Sequence, residues 1–212
     1  MAAGEGRRLR PITERWPKPV LPIDGRPVIA TLVRQLAAEG LGLITVVTGH
    51  LAEQVEELVA GLDVRFAHQP EPHGSADAVG RALEAGAELP ALVCAADTVF
   101  QPGDLAAVAS VRGKGAVAYR VDPSKARMEV ADGLVRRIVA CDPSLPYSSA
   151  PLWLLTEGIG LDGLPGPPYE LAVAFQRAID VGTPVAAVEI GPTRDLTEPA
   201  DLVRENFSYL ER

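Results

Sequence analysis

"LITVVTGHLAEQVEELVAGLDVRFAHQ" (Leu43–Gln69) changes its hydrophobic period twice within one short run. Leu43–Gly49 is a β-branched apolar stretch, the composition of a strand buried on both faces of a parallel sheet. The residues after it repeat at the helical period, with Leu51, Val55 and Leu58 or Val59 on one face. "VRFAHQ" then returns to a short strand. Such a strand–helix–strand unit predicts a layered α/β sheet with right-handed crossovers. The alternation continues on both sides. Pro27–Glu39 has helical periodicity (Val28, Leu32 and Leu36 inward) and stops at Gly40, "SADAVGRALEAG" reads as a helix beginning just after Gly74, and "ALVCAAD" is a third apolar strand ending in Asp97.

Beyond Asp97 the pattern changes. "DLAAVASVRGKG" reads as a helix, whereas "AVAYRV", "RMEVADGLVRRIVA" and "APLWLL" read as strands joined by turns, with Asp132-Gly133 as a hairpin signal. A Gly/Pro-rich loop (Asp162–Pro168), a helix "YELAVAFQRAIDVG", a strand "PVAAVEI" and a closing helix from Pro199 to about Leu210 complete the chain. There is no internal repeat and no long linker. The expectation is one domain over residues 1–212, in which 1–100 form one half and 101–212 a partly antiparallel second half.

The 212 residues are 47% hydrophobic and 23% charged, and the net charge of −8 argues against a broad nucleic-acid or anionic-membrane surface. Basic residues nevertheless gather at the N-terminus as Arg7, Arg8, Arg10, Arg15 and Lys18, which suits a small anionic ligand; a solvated charged terminus is the plainer alternative. Only Lys18, Lys114 and Lys125 among the 20 basic residues are lysine. Cys94 and Cys141 sit beside apolar residues without paired spacing, as small hydrophobes do in a reducing compartment. His50, His68 and His73 have no zinc spacing. The longest apolar runs are strand-sized and no leader is visible, so the expected location is cytoplasmic.

Chemistry concentrates first in "AAGEGRRLRPITERWPKPVLPIDGRPVI" (Ala2–Ile29). Gly4 and Gly6 let backbone N–H groups wrap an anion, and Arg8 or its neighbours supply charge-assisted donors to a polyphosphate. Lys18 lies between Pro17 and Pro19, which restrict its backbone. The run is neither a Walker loop nor a dinucleotide fingerprint, since Leu9 stands at the third glycine position.

This run resembles the signature of the sugar-1-phosphate nucleotidylyltransferases, the NDP-sugar pyrophosphorylases of the nucleotidyltransferase superfamily: roughly G-x-G-[TS]-R-L-x-P-x-T, then P-K-P, then G-[KR]-P-[LIV]-I. Gly4, Gly6, Arg8, Leu9, Pro11, Thr13, Pro17, Lys18, Pro19, Gly25, Pro27 and Ile29 fall in register, while Arg7 replaces a small hydroxyl residue. The related molybdopterin transferases share the glycines and the lysine without the L-x-P-x-T…P-K-P framing. "HQPEPHGSADAVGRAL" matches the family's Q-x-x-x-x-G-[TS]-A-x-A segment. The resemblance implies nucleotide contacts from Ala3, Gly4, Gly6, Gln69, Gly74 and Ser75. Ser75 reads equally as a plain N-cap, and Gln69 also admits a solvated-loop reading. Asp97 stands where the family carries a metal ligand. The second acid is Asp180, in a literal "DVGTP", or Asp195, in "RDLTEPADL"; the strand before and the helix after favour Asp195.

The resemblance therefore implies a three-layer, Rossmann-like (GT-A-type) fold with a mixed, mainly parallel sheet. It implies Mg2+ held by Asp97 and Asp195, with Arg8 and Lys18 as catalytic cations. The expected substrates are a nucleoside triphosphate and a sugar 1-phosphate, with no nucleic-acid or membrane partner; a homo-oligomer is compatible with the reading. Nucleotidyl transfer to another phosphorylated acceptor, such as phosphocholine, and a non-catalytic nucleotide-binding paralogue are the alternatives. The acceptor half departs from the pattern. "ACDPS" replaces an E-K-P triplet, which leaves Lys125 or Arg127 as substitutes for its lysine, and "SSAPLWLL" replaces N-x-G-[IV]-Y. Glu170 fits a sugar-hydroxyl ligand or a helix-surface carboxylate. The family's apolar first strand has no counterpart before the glycine loop, and the expectation is a native sequence running upstream of Met1 into such a strand.

Overall fold

Prolines shape the beginning of the chain. Pro11, Pro17 and Pro19 withhold backbone donors, and Arg7–Leu9, Ile12–Glu14 and Lys18–Val20 form only single 3-10 turns. The structure is a computed structural model that describes residues 1–121, 127–139 and 144–207. Its elements follow in order: β1 (Pro22–Ile23), β2 (Arg26–Pro27), α1 (Val28–Ala38), β3 (Ile44–Thr48), α2 (Ala52–Val59), β4 (Val64–His68), α3 (Ser75–Glu84), β5 (Ala91–Cys94) and β6 (Thr98–Val99). The second half adds α4 (Asp104–Ala109), β7 (Gly115–Val121), β8 (Arg127–Ala131), β9 (Leu134–Val139), β10 (Tyr147–Leu155), α5 (Leu171–Asp180), β11 (Val185–Glu189), β12 (Arg194–Asp195) and α6 (Pro199–Arg204).

Two elements differ in length from the sequence expectation. The helix after Asp104 ends at Ala109, where the Ser110 hydroxyl and the Arg112 guanidinium turn back to the carbonyls of Ala107 and Ala109. β10 begins early, at Tyr147, because Tyr147 and Ser148 pair with both β7 and β8. The Asp132-Gly133 hairpin forms as expected between β8 and β9. Cys141, Asp142 and Lys125 lie outside the described residues, as do residues 208–212, into which the closing helix was expected to reach.

Six strands run in the order β5-β10-β7-β11-β9-β8, and β8 returns to pair with β10, closing the last five into a small barrel-like sheet. Parallel neighbours among the described residues are β3–β4, β7–β11 and the bridge from Ala2 to Thr48. β10 runs against β5, β7 and β8, and β9 runs against β8 and β11. The sheet is mixed, as expected, but not mainly parallel, because β10 and the β8–β9 hairpin run against their neighbours.

Alternation along the strands divides the interior into two layers. Ala116, Ala118, Leu152 and Leu154 face α1, α2 and α4, packing with Leu32, Val55 and Val108. Val117, Trp153 and Leu155 face α3 and α5, packing with Val79, Leu171 and Phe175. Cys94 is buried in the first layer, and burial pushes its thiol pKa up, in keeping with a small apolar side chain. No helix among the described residues is long and apolar enough to cross a membrane.

Phe175 is fully buried on the inner face of α5. Phe175→Ala is expected to destabilise the protein by about 3–5 kcal/mol, read as a lower urea midpoint at unchanged slope.

Candidate active site

The glycine loop leaves the end of an extended stretch. Met1 donates its amine to the Cys94 carbonyl at 2.9 Å and accepts from Ala96 N–H at 2.9 Å, while Ala2 donates to Val47 at 2.7 Å. The chain then bends at Gly6 (φ 62°), where an added Cβ would come within 2.9 Å of Thr13 Cγ2. Thr13 is 1% exposed, and its hydroxyl donates to the Gly6 carbonyl at 3.0 Å. His50 supports the same turn through Nε2, 2.7 Å from the Thr13 carbonyl. The motif's threonine thus holds the loop from beneath. At the surface, Glu5 takes Arg7 at 2.8 Å and Arg10 at 3.1 Å, and the hydrogen bond from Arg7 holds the Glu5 carboxyl below its ordinary value against partial burial. Arg8 is exposed and has no such partner among the described residues.

Lys18 reaches inward from its proline-flanked turn to the carboxylate of Asp97, and the two side chains are only 15% and 27% exposed. Thr98 Oγ1 donates to the other Asp97 oxygen at 3.1 Å. β6 pairs antiparallel with β12, setting Asp195 opposite Thr98, the residue that follows Asp97. Thr197 Oγ1 donates to Asp195 Oδ1 at 3.3 Å. Asp180, the literal motif match, instead ends α5 and bonds Gln176 at 2.8 Å.

No group of three or more His, Cys, Asp or Glu side chains among the described residues is arranged to enclose a metal. Asp97, one residue before β6, and Asp195, in β12, are a different donor set of two carboxylates. They fit a hard cation such as Mg2+, which completes an octahedron with phosphate oxygens and water.

Arg194, which sequence reasoning did not single out, anchors the segment bearing Asp195. Its guanidinium spans Asp24 and Glu205, bonding Glu205 Oε2 at 2.6 Å and the Glu205 carbonyl at 2.8 Å. These partners raise the Arg194 pKa above its ordinary value, the Asp24 hydrogen bond most of all. Behind it, buried Asp201 accepts from Thr197 N–H at 2.6 Å and Glu198 N–H at 2.9 Å, and pairs with Arg204. Burial pushes the Asp201 carboxyl up, but the two backbone donors and the Arg204 charge outweigh it and hold the pKa below the usual value.

The second motif folds into a compact joint between α3 and α5. Gln69 is 4% exposed, and its Nε2 donates to the Gly74 carbonyl at 3.0 Å and Asp77 Oδ2 at 2.7 Å, so it is no solvated loop residue. Gly74, at φ 107°, is the N-cap of α3, which displaces the plain N-cap reading of Ser75. A Cβ on Gly74 would lie 2.3 Å from the Tyr169 carbonyl oxygen, which accepts from Ala76 N–H at 2.9 Å. The Ser75 hydroxyl crosses to α5, donating to Glu170 and accepting from Leu171 N–H at 2.8 Å. Glu170 is therefore the N-cap residue of α5, not a carboxylate on its outer surface. The interlocked Gly74 and Tyr169 backbones left no sequence signal except the glycine itself.

Beyond Asp195 lies a cavity of about 550 Å3 bounded by Arg120, Glu189, Thr193 and Arg204. Arg120 is 8% exposed and bonds Thr193 Oγ1.

This arrangement of helices, mixed sheet and glycine loop is that of a nucleotidyltransferase fold. The inositol-1-phosphate CTP transferase from T. maritima superposes with a TM-score of 0.83 over 99% of this chain and 92% of that one, at 19% identity, a likeness of fold. Residues 1–157 match the MobA-like NTP transferase domain, and the chain belongs to that family. It is 33% identical over 125 residues to the CMP-5'-(3-aminopropyl)phosphonate synthase of Streptomyces rubellomurinus, covering 56% of this chain and 20% of that protein. It is 36% identical over 83 residues to the UTP–glucose-1-phosphate uridylyltransferase of Haloferax volcanii, covering 37% of this chain and 34% of that protein. The matched stretches are thus a minor part of both relatives.

Because the folded Asp201 pKa is depressed, its contribution is fully present above the unfolded value of about 4 and is lost as pH falls through the folded pKa. Asp201→Ala is expected to cost about 0.5–2 kcal/mol at pH 7 by denaturant titration, with the gap to the parent closing below about pH 4. Gly74→Ala is expected to cost about 1–3 kcal/mol and to speed hydrogen exchange at the Ala76 and Leu171 amides, since a backbone oxygen stands in the way of the methyl group.

Proposed function

We propose that the protein transfers a nucleotidyl group from a nucleoside triphosphate to a phosphorylated acceptor, releasing pyrophosphate, and that the acceptor is a sugar 1-phosphate. One observation carries the reading. The β6–β12 pair sets Asp195, from the second half of the chain, opposite Thr98, one residue from Asp97, whose carboxylate takes Lys18.

In this reading residues 1–212 act as one unit, with the donor held mainly by 1–100 and the acceptor by 101–212. Backbone groups of Ala3, Gly4 and Gly6 cradle the triphosphate, and Arg8, which has no carboxylate partner among the described residues, turns to its outer phosphates. The Gln69 amide nitrogen is committed inside the protein, so its carbonyl oxygen is left to accept from the base, with Gly74 and Ser75 shaping that end. Asp97 and Asp195 hold Mg2+, which when bound neutralises charge on the phosphate oxygens.

An oxygen of the acceptor phosphate attacks the α-phosphorus in line. The bond from that phosphorus to the bridging oxygen breaks, and its electron pair leaves with pyrophosphate. No covalent enzyme intermediate is required, so the protein's work is positioning and charge neutralisation. Lys18 offsets charge between the α-phosphate and the acceptor phosphate, and Arg8 offsets it on the departing pyrophosphate. On the acceptor side, Arg120 takes the part that Lys125 or Arg127 was expected to play, and Glu170 offers a carboxylate to a sugar hydroxyl. Lys125 and the Arg127 side chain lie outside the described residues.

A different phosphorylated acceptor, a phosphonate or phosphocholine, is the second reading, favoured by the identity to the phosphonate synthase and by the divergent acceptor half. A non-catalytic nucleotide binder is disfavoured by the joint presence of Arg8, Lys18, Asp97 and Asp195.

Thermal denaturation with each nucleoside triphosphate, with and without Mg2+, tests the donor half without knowledge of the acceptor. One triphosphate at a hundred times its dissociation constant is expected to stabilise the protein by about 2.7 kcal/mol in the presence of Mg2+. Asp97→Asn is expected to abolish that shift, and to lower pyrophosphate release by roughly a hundredfold or more once the acceptor is supplied. No shift with any triphosphate would overturn the reading.

A further inference from the structure

Gln69 directly follows β4, and its backbone is fixed there, with its N–H on the Thr48 carbonyl at 2.8 Å. It also lies against the glycine loop. A Cβ added to Gly49 would come within 2.8 Å of the Gln69 carbonyl oxygen and 2.9 Å of Ala3 Cβ, so one tight crossing holds the loop and Gln69 together. The Gln69 side chain is buried, which is costly for an amide whose hydrogen bonds are not made.

Only one end of that amide is served. Nε2 carries two hydrogens, and both have acceptors: the Gly74 carbonyl at 3.0 Å and Asp77 Oδ2 at 2.7 Å. Oε1 has no partner among the described residues. A glutamine amide has nearly the same shape with its ends exchanged, but here the exchange is barred. Turned over, Oε1 would face a carbonyl oxygen and a carboxylate, neither of which has a hydrogen to give. The Gly74 carbonyl belongs to the backbone, so the side chain that makes the lock is Asp77. Arg81, one helical turn on, lies 3.6 Å from the other Asp77 oxygen and supports the carboxylate from behind.

We propose that Asp77 is a positioning residue that sets base selection: by fixing Gln69 as an acceptor alone, it makes the site choose within each pair of like-shaped bases. The inference rests on the nucleotidyl-transfer reading, in which Gln69 meets the base. Uracil and cytosine share a shape and have inverted edges. Uracil offers a donor at N3 and an acceptor at O4, cytosine an acceptor at N3 and a donor at N4, and guanine and adenine invert in the same way at N1 and position 6. At either ring position, one member of the pair donates to Oε1 and the other sets a lone pair against it. A free amide would turn to suit both members; the locked one suits one. Such discrimination is large, because the rejected base leaves two buried acceptors face to face.

A merely structural role for Asp77 is separable from this one. An acid in the first turn of α3 also favours the helix through its charge, but losing that would weaken every triphosphate alike.

Dissociation constants for UTP, CTP, GTP and ATP with Mg2+, measured by titration calorimetry on the parent, Asp77→Ala and Asp77→Asn, test the proposal. The parent is expected to bind one member of its preferred pair about a hundredfold or more tighter than the other. Asp77→Ala is expected to bring that ratio within about threefold, in part by tightening the disfavoured member, since the freed amide presents either end. It is also expected to speed hydrogen exchange of the Gln69 side-chain amide. Asp77→Asn is close to isosteric and can meet either end of Gln69, so it is expected to lower the ratio by about tenfold even where the alanine variant does not fold. An unchanged ratio with both affinities lowered alike, or binding by the parent without discrimination inside either pair, overturns the proposal alone. No binding of any triphosphate by the parent overturns the transfer reading together with it.

Discussion

The antiparallel pairing of Arg194–Asp195 with Thr98–Val99 brings the late part of the chain onto the end of a strand from its first half. Two residues of isolated ladder are marginal in water. Their alignment therefore rests on neighbours: Leu196, fully buried beneath; Arg194, tied to Asp24 and Glu205; and Asp201, which accepts the backbone donors of Thr197 and Glu198. Hydrogen bonds to charged groups contribute about 1.5–3 kcal/mol each when shielded and less at partly exposed positions such as Arg194. The acidic pair is set by this scaffold, since β6 and β12 belong to none of the larger sheets.

The glycine loop depends on the same economy of supports. Thr13 closes Gly6 from below, His50 holds Thr13, and Met1–Ala3 join the loop to two strands. Lys18 is aimed by its proline-bound turn and by Asp97. The lysine and the aspartate neutralise one another, which keeps two half-buried charges satisfied. The α3–α5 joint, built on Gly74 and the Ser75 hydroxyl, ties the second motif to Glu170 across the interior.

Much of the first half was legible as sequence because its signals are local. A β-branched run, a helical period and a glycine boundary each act within a few residues, and the strands and helices from Val28 to Cys94 lie close to where those signals put them. The prolines around Lys18 and the threonine of the loop were legible for the same reason. The second half was less so. Tyr147–Ser149 extend β10 through pairing with two distant strands, and polar Ser148 is buried by them. Arg194 carried no local signal because both of its partners are set by the fold.

The sequence by itself determined the α/β alternation, the loop at Gly4–Gly6 and the placing of Lys18 between prolines, since each follows from short-range backbone preference and hydrophobic period. Only the tertiary structure decided the mixed strand order, the pairing of Asp195 with Thr98, and the use of the Ser75 hydroxyl to cap α5. These join residues far apart along the chain, whose register is set by burial and hydrogen bonding between elements, quantities no local propensity carries.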